Sequence, residues 1–253
     1  MAAPPRAYVS RGGEKLAPAL ARFGVDPGGR RCLDAGASTG GFTDCLLQHG
    51  AAHVVACDVG YGQLHERLRT DQRVTVLERT NVRELGADDV PGPPPDLIVA
   101  DLSFISLRTV LPALRGVAAV DAEAVVLVKP QFEADRGHVG KGGVVRDPEV
   151  WRQCLERVAD AAAALDWYTA DAVASALQGP AGNVEFLLHL VADPDRAKPA
   201  DAPAAQTGEV AGDRATGGAG RQAIARAVEQ GRGRATTGTT GTTGTLWLEE
   251  VAG

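Results

Sequence analysis

The sequence predicts an α/β fold in which a mostly parallel sheet is covered by helices on both faces. From residue 31 onward, short apolar segments of strand length alternate with longer segments of helical periodicity. Several strand segments are apolar at nearly every position, as expected for strands that are buried on both faces of a parallel sheet. A glycine-rich loop between the first strand and the next helix also points to this class.

A helix over residues 8–24 precedes the first strand. Ser10 is a plausible N-cap, Leu16 and Phe23 lie on an apolar face, and Gly24 ends the helix. The alternating segments that follow predict strands at 31–34, 53–58, 74–78, Leu97–Ala100 and Ala124–Lys129, and helices at 41–49, 61–70, 106–115 and 148–165.

Two closing strands, near 168–176 and 184–191, predict a hairpin at the end of the sheet, because no long crossover separates them. After Val191 the composition shifts to Ala, Asp, Pro and Gly. A short helix is predicted at 223–230, and the Thr-Gly repeat within 231–245 predicts disorder. The expected division is a basic helical segment at 1–30 that packs on the main domain, the main domain itself at 31–191, and a linker and low-complexity tail at 192–253.

Composition and charge narrow the class of protein. The chain has 253 residues, 44% of them hydrophobic, and a net charge of −6. No signal peptide and no apolar run of about 20 residues is found, so a cytoplasmic location is expected. Its four cysteines lack metal-ligand spacing, and no metal is expected.

A nucleic-acid contact would need a local basic patch, because the chain is acidic overall. The N-terminal stretch offers one, with six basic residues against two acidic ones between residues 6 and 31. A solvated helix face explains the same charges equally well. The candidates for RNA binding are Arg6, Arg11, Lys15 and Arg22.

A cofactor site is predicted at the loop after the first strand. The loop reads Asp34, Gly36, Ala37, Ser38, Thr39, Gly40, Gly41 and Phe42, with Ala35 between the first two. Asp58 ends the second strand 24 residues after Asp34, where an acid can bind ribose hydroxyls. The spacing departs from the dinucleotide pattern and resembles the S-adenosylmethionine loop of class I methyltransferases. A tight strand–helix turn of some different α/β protein would show similar glycines.

Four further residues are candidates for chemistry. Asp101 and Lys129 follow apolar strands, whose carboxyl ends carry ligands in open parallel sheets. Lys129 is expected to be paired or functional, because burying an unpaired ammonium is costly, unless the side chain snorkels to water. Glu185 precedes an apolar strand, as an edge charge or a cleft residue, and Lys15 by itself reads as a helix-surface residue.

Together these residues resemble the Lys-Asp-Lys-Glu tetrad of FtsJ-type ribose 2′-O-methyltransferases. The chain is more closely similar to the TlyA family of rRNA 2′-O-methyltransferases, whose members are also called hemolysins. The resemblance spans residues 8–190 and is carried by the blocks at Tyr8–Leu16, Leu33–Thr43, Asp58–Leu64, Arg79–Arg83, Ala100–Leu107, Val128–Glu133, Gly140–Pro148 and Gly179–Glu185.

The resemblance implies a Rossmann-like, seven-stranded α/β fold and methylation of ribosomal RNA within ribosomal subunits, at cytidine in the family's pattern. It implies that S-adenosylmethionine binds the loop at Asp34–Phe42 and Asp58, with Asn81 near the adenine. Asp101 would lie near both cofactor and substrate. Lys129 would be the central base or orienting group, and Lys15, Asp101 and Glu185 would set its charge state and hold the ribose.

The chemistry requires a proton acceptor, because a ribose hydroxyl must lose its proton as it attacks a sulfonium methyl group. A lysine serves as that base only if its pKa falls toward about 7–8 through burial or a nearby cation. Lys15 could be that cation, with Asp101 and Glu185 positioning the lysine rather than neutralising it. DNA, which lacks the 2′-hydroxyl, is not an expected substrate.

The chain departs from the TlyA pattern at its N-terminus. Members of that family usually carry a small RNA-binding domain ahead of the methyltransferase domain, which is not found before Tyr8 here. Autonomous RNA binding and the choice of target nucleotide therefore do not follow from the resemblance.

Three different functions compete with ribose methylation. A base methyltransferase would show an Asn/Asp-Pro-Pro-Tyr motif, whereas Asp101-Leu-Ser-Phe104 has no proline. A non-catalytic rRNA-binding or ribosome-assembly protein would keep the fold without turnover, and an intact tetrad argues against it. A membrane-active hemolysin would need an amphipathic membrane segment, and none is evident in the sequence.

Overall fold

The computed structural model describes residues 7–195 and 218–237. Its core is one seven-stranded sheet formed by β1 (Arg31–Ala35), β2 (His53–Cys57), β3 (Val74–Leu77), β4 (Leu97–Ala100), β5 (Glu123–Val128), β6 (Tyr168–Ala174) and β7 (Phe186–Val191). The strand order is β3-β2-β1-β4-β5-β7-β6. The first five strands are parallel, so the predicted fold class is confirmed.

Helices cover both faces of this sheet. They are α1 (Arg11–Phe23), α2 (Gly41–Gln48), α3 (Glu66–Arg69), α4 (Leu107–Val117), α5 (Pro130–Glu133), α6 (Pro148–Ala163) and α7 (Gly218–Thr237). Side chains of α1, α2 and α3 pack with alternate strand residues in one apolar cluster. Side chains of α4, α6 and α7 pack with the remaining strand residues in a second cluster. This alternation follows from the period of two along each strand.

The last strand runs opposite to the first five. β7 pairs antiparallel with both β5 and β6, which confirms the predicted terminal hairpin. In the β5–β7 register, Val128 at the end of β5 lies opposite Phe186 at the start of β7. The residue before β7 therefore lies at the same edge of the sheet as the residues that follow β4 and β5.

The predicted boundaries of α1 are explained by its caps. The Ser10 hydroxyl accepts a hydrogen bond from the Gly12 amide at 3.3 Å. Gly24 ends the helix in the left-handed conformation, with φ of +65°, which a residue without a Cβ adopts at little cost. Ser10 and Gly24 therefore have the roles that the sequence assigns to them.

One predicted element is shorter than expected, and another is shifted by one residue. The helix expected over 61–70 is only α3, because Gly62 has φ of +69° and the chain turns before His65. His65 then caps α3 by accepting a hydrogen bond from the Arg67 amide at 3.2 Å. β5 ends at Val128, so Lys129 is not a strand residue but the one that precedes α5.

The tail prediction is wrong for α7, which extends over Gly218–Thr237 rather than 223–230 and includes residues expected to be disordered. Ala223, Ile224, Ala227 and Val228 form a buried stripe of the second apolar cluster. Gly231 belongs to this helix and not to a low-complexity repeat. A Cβ there would meet the Phe186 ring at 3.0 Å, so the glycine allows helix and strand to approach closely. The expected linker at 196–217 and the tail from residue 238 lie outside the described residues.

Candidate active site

A pocket of about 500 Å³ opens where β1, β4 and β5 end and β7 begins. That volume is within the range of small-molecule sites, roughly 300–1,000 Å³. All four members of the predicted tetrad line it, together with most of the predicted cofactor loop: Lys15, Asp101, Lys129, Glu185, Gly36, Ala37, Ser38, Thr39, Gly41 and Phe42. The structure thus brings together residues that are up to 170 positions apart in the chain.

The glycines of the loop are required by internal packing. A Cβ on Gly36 would meet the Asp101 carbonyl oxygen at 2.5 Å, and one on Gly41 would meet the Gly12 Cα at 2.9 Å. Gly36 and Gly40 also have φ of +86° and +94°. Small residues therefore let the loop pass directly beneath the Asp101 segment and beside the first turn of α1, and they leave space above it for a ligand.

Asp34 does not have the predicted position. It is completely buried and does not line the pocket. Its Oδ2 accepts hydrogen bonds from the Thr43 amide at 2.8 Å and the Thr43 hydroxyl at 2.7 Å. Burial raises the pKa of this carboxyl to about 7. Asp34 therefore fixes the loop to the first turn of α2, and a direct contact with the cofactor is not supported.

The acid that directly follows β2 remains suited to a ribose. Asp58 is partly buried, and its carboxylate accepts hydrogen bonds from the Ser38 amide at 2.8 Å and the Gly60 amide at 2.7 Å. These bonds leave acceptor capacity for hydroxyl groups, since each carboxylate oxygen has two lone pairs. Asn81 is exposed and accepts from the Arg83 amide at 3.2 Å, outside the pocket proper.

The first tetrad pair is buried. Lys15 Nζ lies 2.6 Å from Glu185 Oε2, and the two side chains are 10% and 0% exposed. Lys15 is on α1, whereas Glu185 directly precedes β7. The contact therefore joins the first helix to the last strand across the pocket.

The second tetrad pair lies at the ends of β4 and β5. Lys129 Nζ lies 2.6 Å from Asp101 Oδ1 and donates a hydrogen bond to the Ser103 hydroxyl at 2.9 Å. Only 9% of the Lys129 side chain is exposed, against 22% for Asp101. The lysine therefore does not snorkel to bulk water, and its ammonium is satisfied within the site.

The expected electrostatics of the tetrad need a correction. The sequence predicts Lys15 to be an uncompensated cation that disfavours the charged form of Lys129, with both carboxylates only positioning groups. Instead each lysine has a carboxylate at 2.6 Å. The site therefore contains two ion pairs, Lys15 with Glu185 and Lys129 with Asp101, rather than a lone cation beside Lys129.

The candidate RNA-binding arginines do not all lie near the pocket. Arg11 lies beside the pocket, where its guanidinium donates to the Gln178 carbonyl at 2.8 Å. Arg22 pairs with Asp171 on β6 at 3.1 Å and does not line the pocket, so the structure does not bring it to the site. Arg6 lies outside the described residues.

Sequence reasoning missed several residues at the pocket mouth. Phe104 is 91% exposed and has φ of +64°, an unusual conformation for an aromatic residue. Its ring centroid lies 5.2 Å from that of Phe132. Gly142 and Gly143 line the opposite side, held by Asn183, whose amide donates to the Gly143 carbonyl at 2.9 Å. Phe104, Phe132 and Asn183 lie within three residues of Asp101, Lys129 and Glu185 in the sequence, which could have marked them as site candidates. The sequence alone does not show which of these neighbours face the pocket.

Comparison with known proteins gives consistent matches. A family model described as FtsJ-like methyltransferase matches residues 8–192. The 16S/23S rRNA (cytidine-2′-O)-methyltransferase TlyA of Mycobacterium tuberculosis is 59% identical over 76% of this chain and 71% of its own. Hemolysin A of Brachyspira hyodysenteriae is 41% identical over 73% of this chain and 77% of its own.

Solved structures agree with these matches. The crystal structure of a candidate hemolysin from Lactococcus lactis has a TM-score of 0.72 and 45% identity, covering 75% of this chain and 90% of that one. A SAM-dependent methyltransferase from Aquifex aeolicus shares the fold, with a TM-score of 0.50 and 20% identity over 72% of this chain and 93% of that one. Within 7–195 and 218–237, the helices are too short or too polar to cross a membrane.

Proposed function

Since this chain belongs to the FtsJ-like methyltransferase family, we propose that it transfers the methyl group of S-adenosylmethionine to a ribose 2′-hydroxyl of ribosomal RNA. The observation that carries the proposal is the tetrad of Lys15, Asp101, Lys129 and Glu185 around one pocket, next to the glycine loop. The relative from M. tuberculosis is named for cytidine 2′-O-methylation of 16S and 23S rRNA, which supports the same class of substrate.

The donor set fits the cofactor. The loop from Gly36 to Phe42 lines the pocket with small side chains, and Asp58 offers a carboxylate for ribose hydroxyls. Val59, which follows Asp58, is 74% exposed and offers an apolar surface for a base. When bound, S-adenosylmethionine supplies an electrophilic methyl group. We propose that Asp58 holds the sugar, with Asn81 on the adenine side, and that Asp34 supports the loop from beneath.

Lys129 acts on the substrate hydroxyl. Its ammonium has three N–H donors, and the Ser103 hydroxyl accepts one of them, so a donor is available for the ribose 2′-oxygen beside the Asp101 contact. That bond orients the oxygen toward the methyl group. Orientation of this kind supplies a large share of a rate enhancement.

The hydroxyl proton passes to the Lys129–Asp101 pair. A shift of one proton from Nζ to the Asp101 carboxylate, across the 2.6 Å contact, leaves a neutral amine, which accepts the hydroxyl proton as the ribose oxygen takes the methyl group and its bond to the sulfonium sulfur breaks. The pair then holds one extra proton, which water removes after product release. Lys15 and Glu185 complete the wall of the ribose pocket, where their fixed charges orient the sugar.

The mouth of the pocket suits RNA. Phe104 presents an almost fully exposed ring on which an unstacked base can lie, a common mode of single-strand RNA recognition. Arg11, Lys141 and Arg146 are exposed around the same mouth and provide positive charge for phosphates, although the whole chain carries −6. A ribosomal substrate implies that the enzyme works in the cytoplasm.

The test is transfer of radiolabelled methyl from S-adenosylmethionine to unmodified ribosomal subunits, with Lys129→Ala in parallel. We expect label in ribose, identified after digestion to nucleosides, and its loss in the variant. Label in a base would favour base methylation. Binding of both RNA and S-adenosylmethionine without transfer, under conditions where the M. tuberculosis relative is active, would favour a non-catalytic assembly protein.

A hemolysin activity has only the name of relatives in its favour. Hemolysin A of B. hyodysenteriae carries that name, yet it matches 73% of this chain, close to the 76% matched by the rRNA methyltransferase of M. tuberculosis. Nothing in the pocket requires a membrane. Release of haemoglobin from erythrocytes by the Lys129→Ala variant, at the same rate as by the unmodified protein, would show an activity separate from methyl transfer.

A further inference from the structure

Glu133 is a buried carboxylate that the proposed mechanism does not use. It is 3% exposed and is the last residue of α5. Its Oε1 accepts a hydrogen bond from the Leu107 amide at 2.6 Å, and its Oε2 accepts one from the Ser106 hydroxyl at 2.6 Å. The half-exposed guanidinium of Arg108 adds a weaker contact at 3.4 Å.

These bonds connect the two segments that carry the Lys129–Asp101 pair. Glu133 lies one helical turn after Lys129, and Ser106 ends the segment that begins at Asp101. One segment therefore starts at Lys129 and ends at Glu133, and the other starts at Asp101 and ends at Ser106. The ion pair joins their starts, and the Glu133 hydrogen bonds join their ends. Glu133 and the ion pair close a ring of contacts around the site.

Neither segment holds its shape by itself. α5 has four residues, and helices of that length are unstable without tertiary contacts. The Asp101–Ser106 segment has no regular structure, and it includes Phe104 at φ of +64°. At its start, the Asp101 amide donates to the Ala35 carbonyl at 3.0 Å. Glu133 provides the corresponding attachment at the other end of the segment.

Capping of α4 alone does not account for this carboxylate. Ser106 already caps that helix by accepting a hydrogen bond from the Arg108 amide at 3.3 Å. Burying a carboxylate is unfavourable without strong hydrogen bonds, and desolvation raises the pKa of Glu133. The Leu107 amide by itself needs only one acceptor, whereas Glu133 places its second oxygen on the Ser106 hydroxyl and so links α5 to the segment that starts at Asp101.

We propose that Glu133 is a positioning residue for methyl transfer, which holds Asp101 and Lys129 at the distance their proton exchange requires. This inference rests on the proposed function. It assigns a role to Glu133 and Ser106 that neither the tetrad nor the cofactor loop includes. The role depends on both carboxylate oxygens, because one accepts from Ser106 at the end of the Asp101–Ser106 segment and the other from Leu107 at the start of α4.

The test compares Glu133→Gln with Glu123→Gln. The first keeps the shape of the side chain but replaces one acceptor oxygen with a donor amide. The second removes a buried carboxylate at the opposite end of β5, which contacts His189 at 2.8 Å, so it matches the change in burial without touching the site. We expect kcat to fall about 10- to 100-fold for Glu133→Gln, as small displacements of catalytic groups do. In Glu133→Gln the KM for S-adenosylmethionine should change less than about threefold. At temperatures where Glu123→Gln is folded, its kcat should equal that of the unmodified protein.

A second measurement does not depend on activity. Amide hydrogen exchange over residues 102–108 should accelerate at least about tenfold in Glu133→Gln and remain unchanged in Glu123→Gln, since only the first loses a bond to this segment. If Glu133→Gln does not fold, Ser106→Ala and Glu133→Asp replace it, with an expected fall in kcat of about 3- to 10-fold.

The outcomes separate the two proposals. An unchanged kcat in a folded Glu133 variant, or an equal fall in Glu123→Gln, overturns the positioning role. If the unmodified protein transfers no methyl group, the proposed function fails, and unchanged exchange over 102–108 still overturns the inference. Accelerated exchange together with a selective fall in kcat supports it.

Discussion

Replacing Glu185 with Gln should strongly destabilise the protein. The Glu185 side chain is completely buried and lies 2.6 Å from the Lys15 ammonium, which is itself only 10% exposed. The substitution leaves Lys15 without its counter-charge in a site that water reaches poorly. Breaking a buried ion pair by removing one partner typically costs about 3–5 kcal/mol of unfolding free energy. For a domain of this size, that corresponds to roughly 6–20 °C in Tm.

The double variant Lys15→Met, Glu185→Gln separates charge from packing. It removes the uncompensated ammonium, so most of the lost stability should return, because a pair replaced by neutral groups is often as stable as the original. Methyl transfer should be lost in both variants, since both residues line the pocket together with Lys129 and Asp101. Stability and activity should therefore diverge in the double variant.

Urea unfolding followed by tryptophan fluorescence measures the effect. Trp151 and Trp167 are fully buried, and the Trp151 ring centroid lies 5.7 Å from that of Phe186, the neighbour of Glu185. A loss below about 1 kcal/mol in Glu185→Gln would show that the pair is as well hydrated as a surface salt bridge. A double variant no more stable than the single one would refute the argument from charge.

Three further outcomes are expected. Burial raises the pKa of Asp34 to about 7, so the folded protein keeps a proton that the unfolded chain loses near pH 4. Between pH 4 and pH 8 the unfolding free energy of the unmodified protein should therefore fall by about 4 kcal/mol relative to that of Asp34→Asn. Parallel pH curves for the two proteins would contradict this. In α7, Gly231→Ala places a Cβ 3.0 Å from the Phe186 ring and should lower the unfolding free energy by about 1 kcal/mol. Gly233→Ala meets no atom within 4 Å and should raise it by about 0.5–1 kcal/mol, because alanine favours the helix. Urea unfolding that ranks the two variants in the opposite order would refute the packing argument. Lys141→Ala should lower RNA affinity and reduce the slope of log affinity against log salt by about one, and an unchanged slope would remove Lys141 from the RNA surface.

The parts of the fold that the sequence predicts well are those with a local signal. Alternation of apolar strands with amphipathic helices identifies the class, and the Ser10 and Gly24 caps mark α1 because capping depends on a few adjacent residues. The hairpin of β6 and β7 is predicted as well. The position of β7 between β5 and β6 depends on which edge of the sheet is free, and no local sequence pattern encodes that position.

The residues that the sequence assigns wrongly are those whose roles depend on tertiary contacts. Asp34 has the position of a cofactor ligand in the motif, yet its carboxylate turns inward to Thr43, nine residues later, and caps α2. α7 lacks a strong apolar pattern because it packs closely through Ala and Gly, which composition alone interprets as low complexity. The two ion pairs of the tetrad are contacts over 28 and 170 residues of sequence, and only the tertiary structure shows which lysine meets which acid.

The contact between Lys15 and Glu185 has a consequence for protein synthesis. Glu185 leaves the ribosome 170 residues after Lys15, and α7, whose Gly231 packs against Phe186 next to Glu185, emerges later still. At about 5–20 residues per second, the interval from Lys15 to Glu185 lasts roughly 10–30 s. Throughout that interval the ribose pocket lacks a wall. We therefore expect a growing chain to stay inactive on the ribosome until β7 and α7 have been synthesised and Glu185 can meet Lys15.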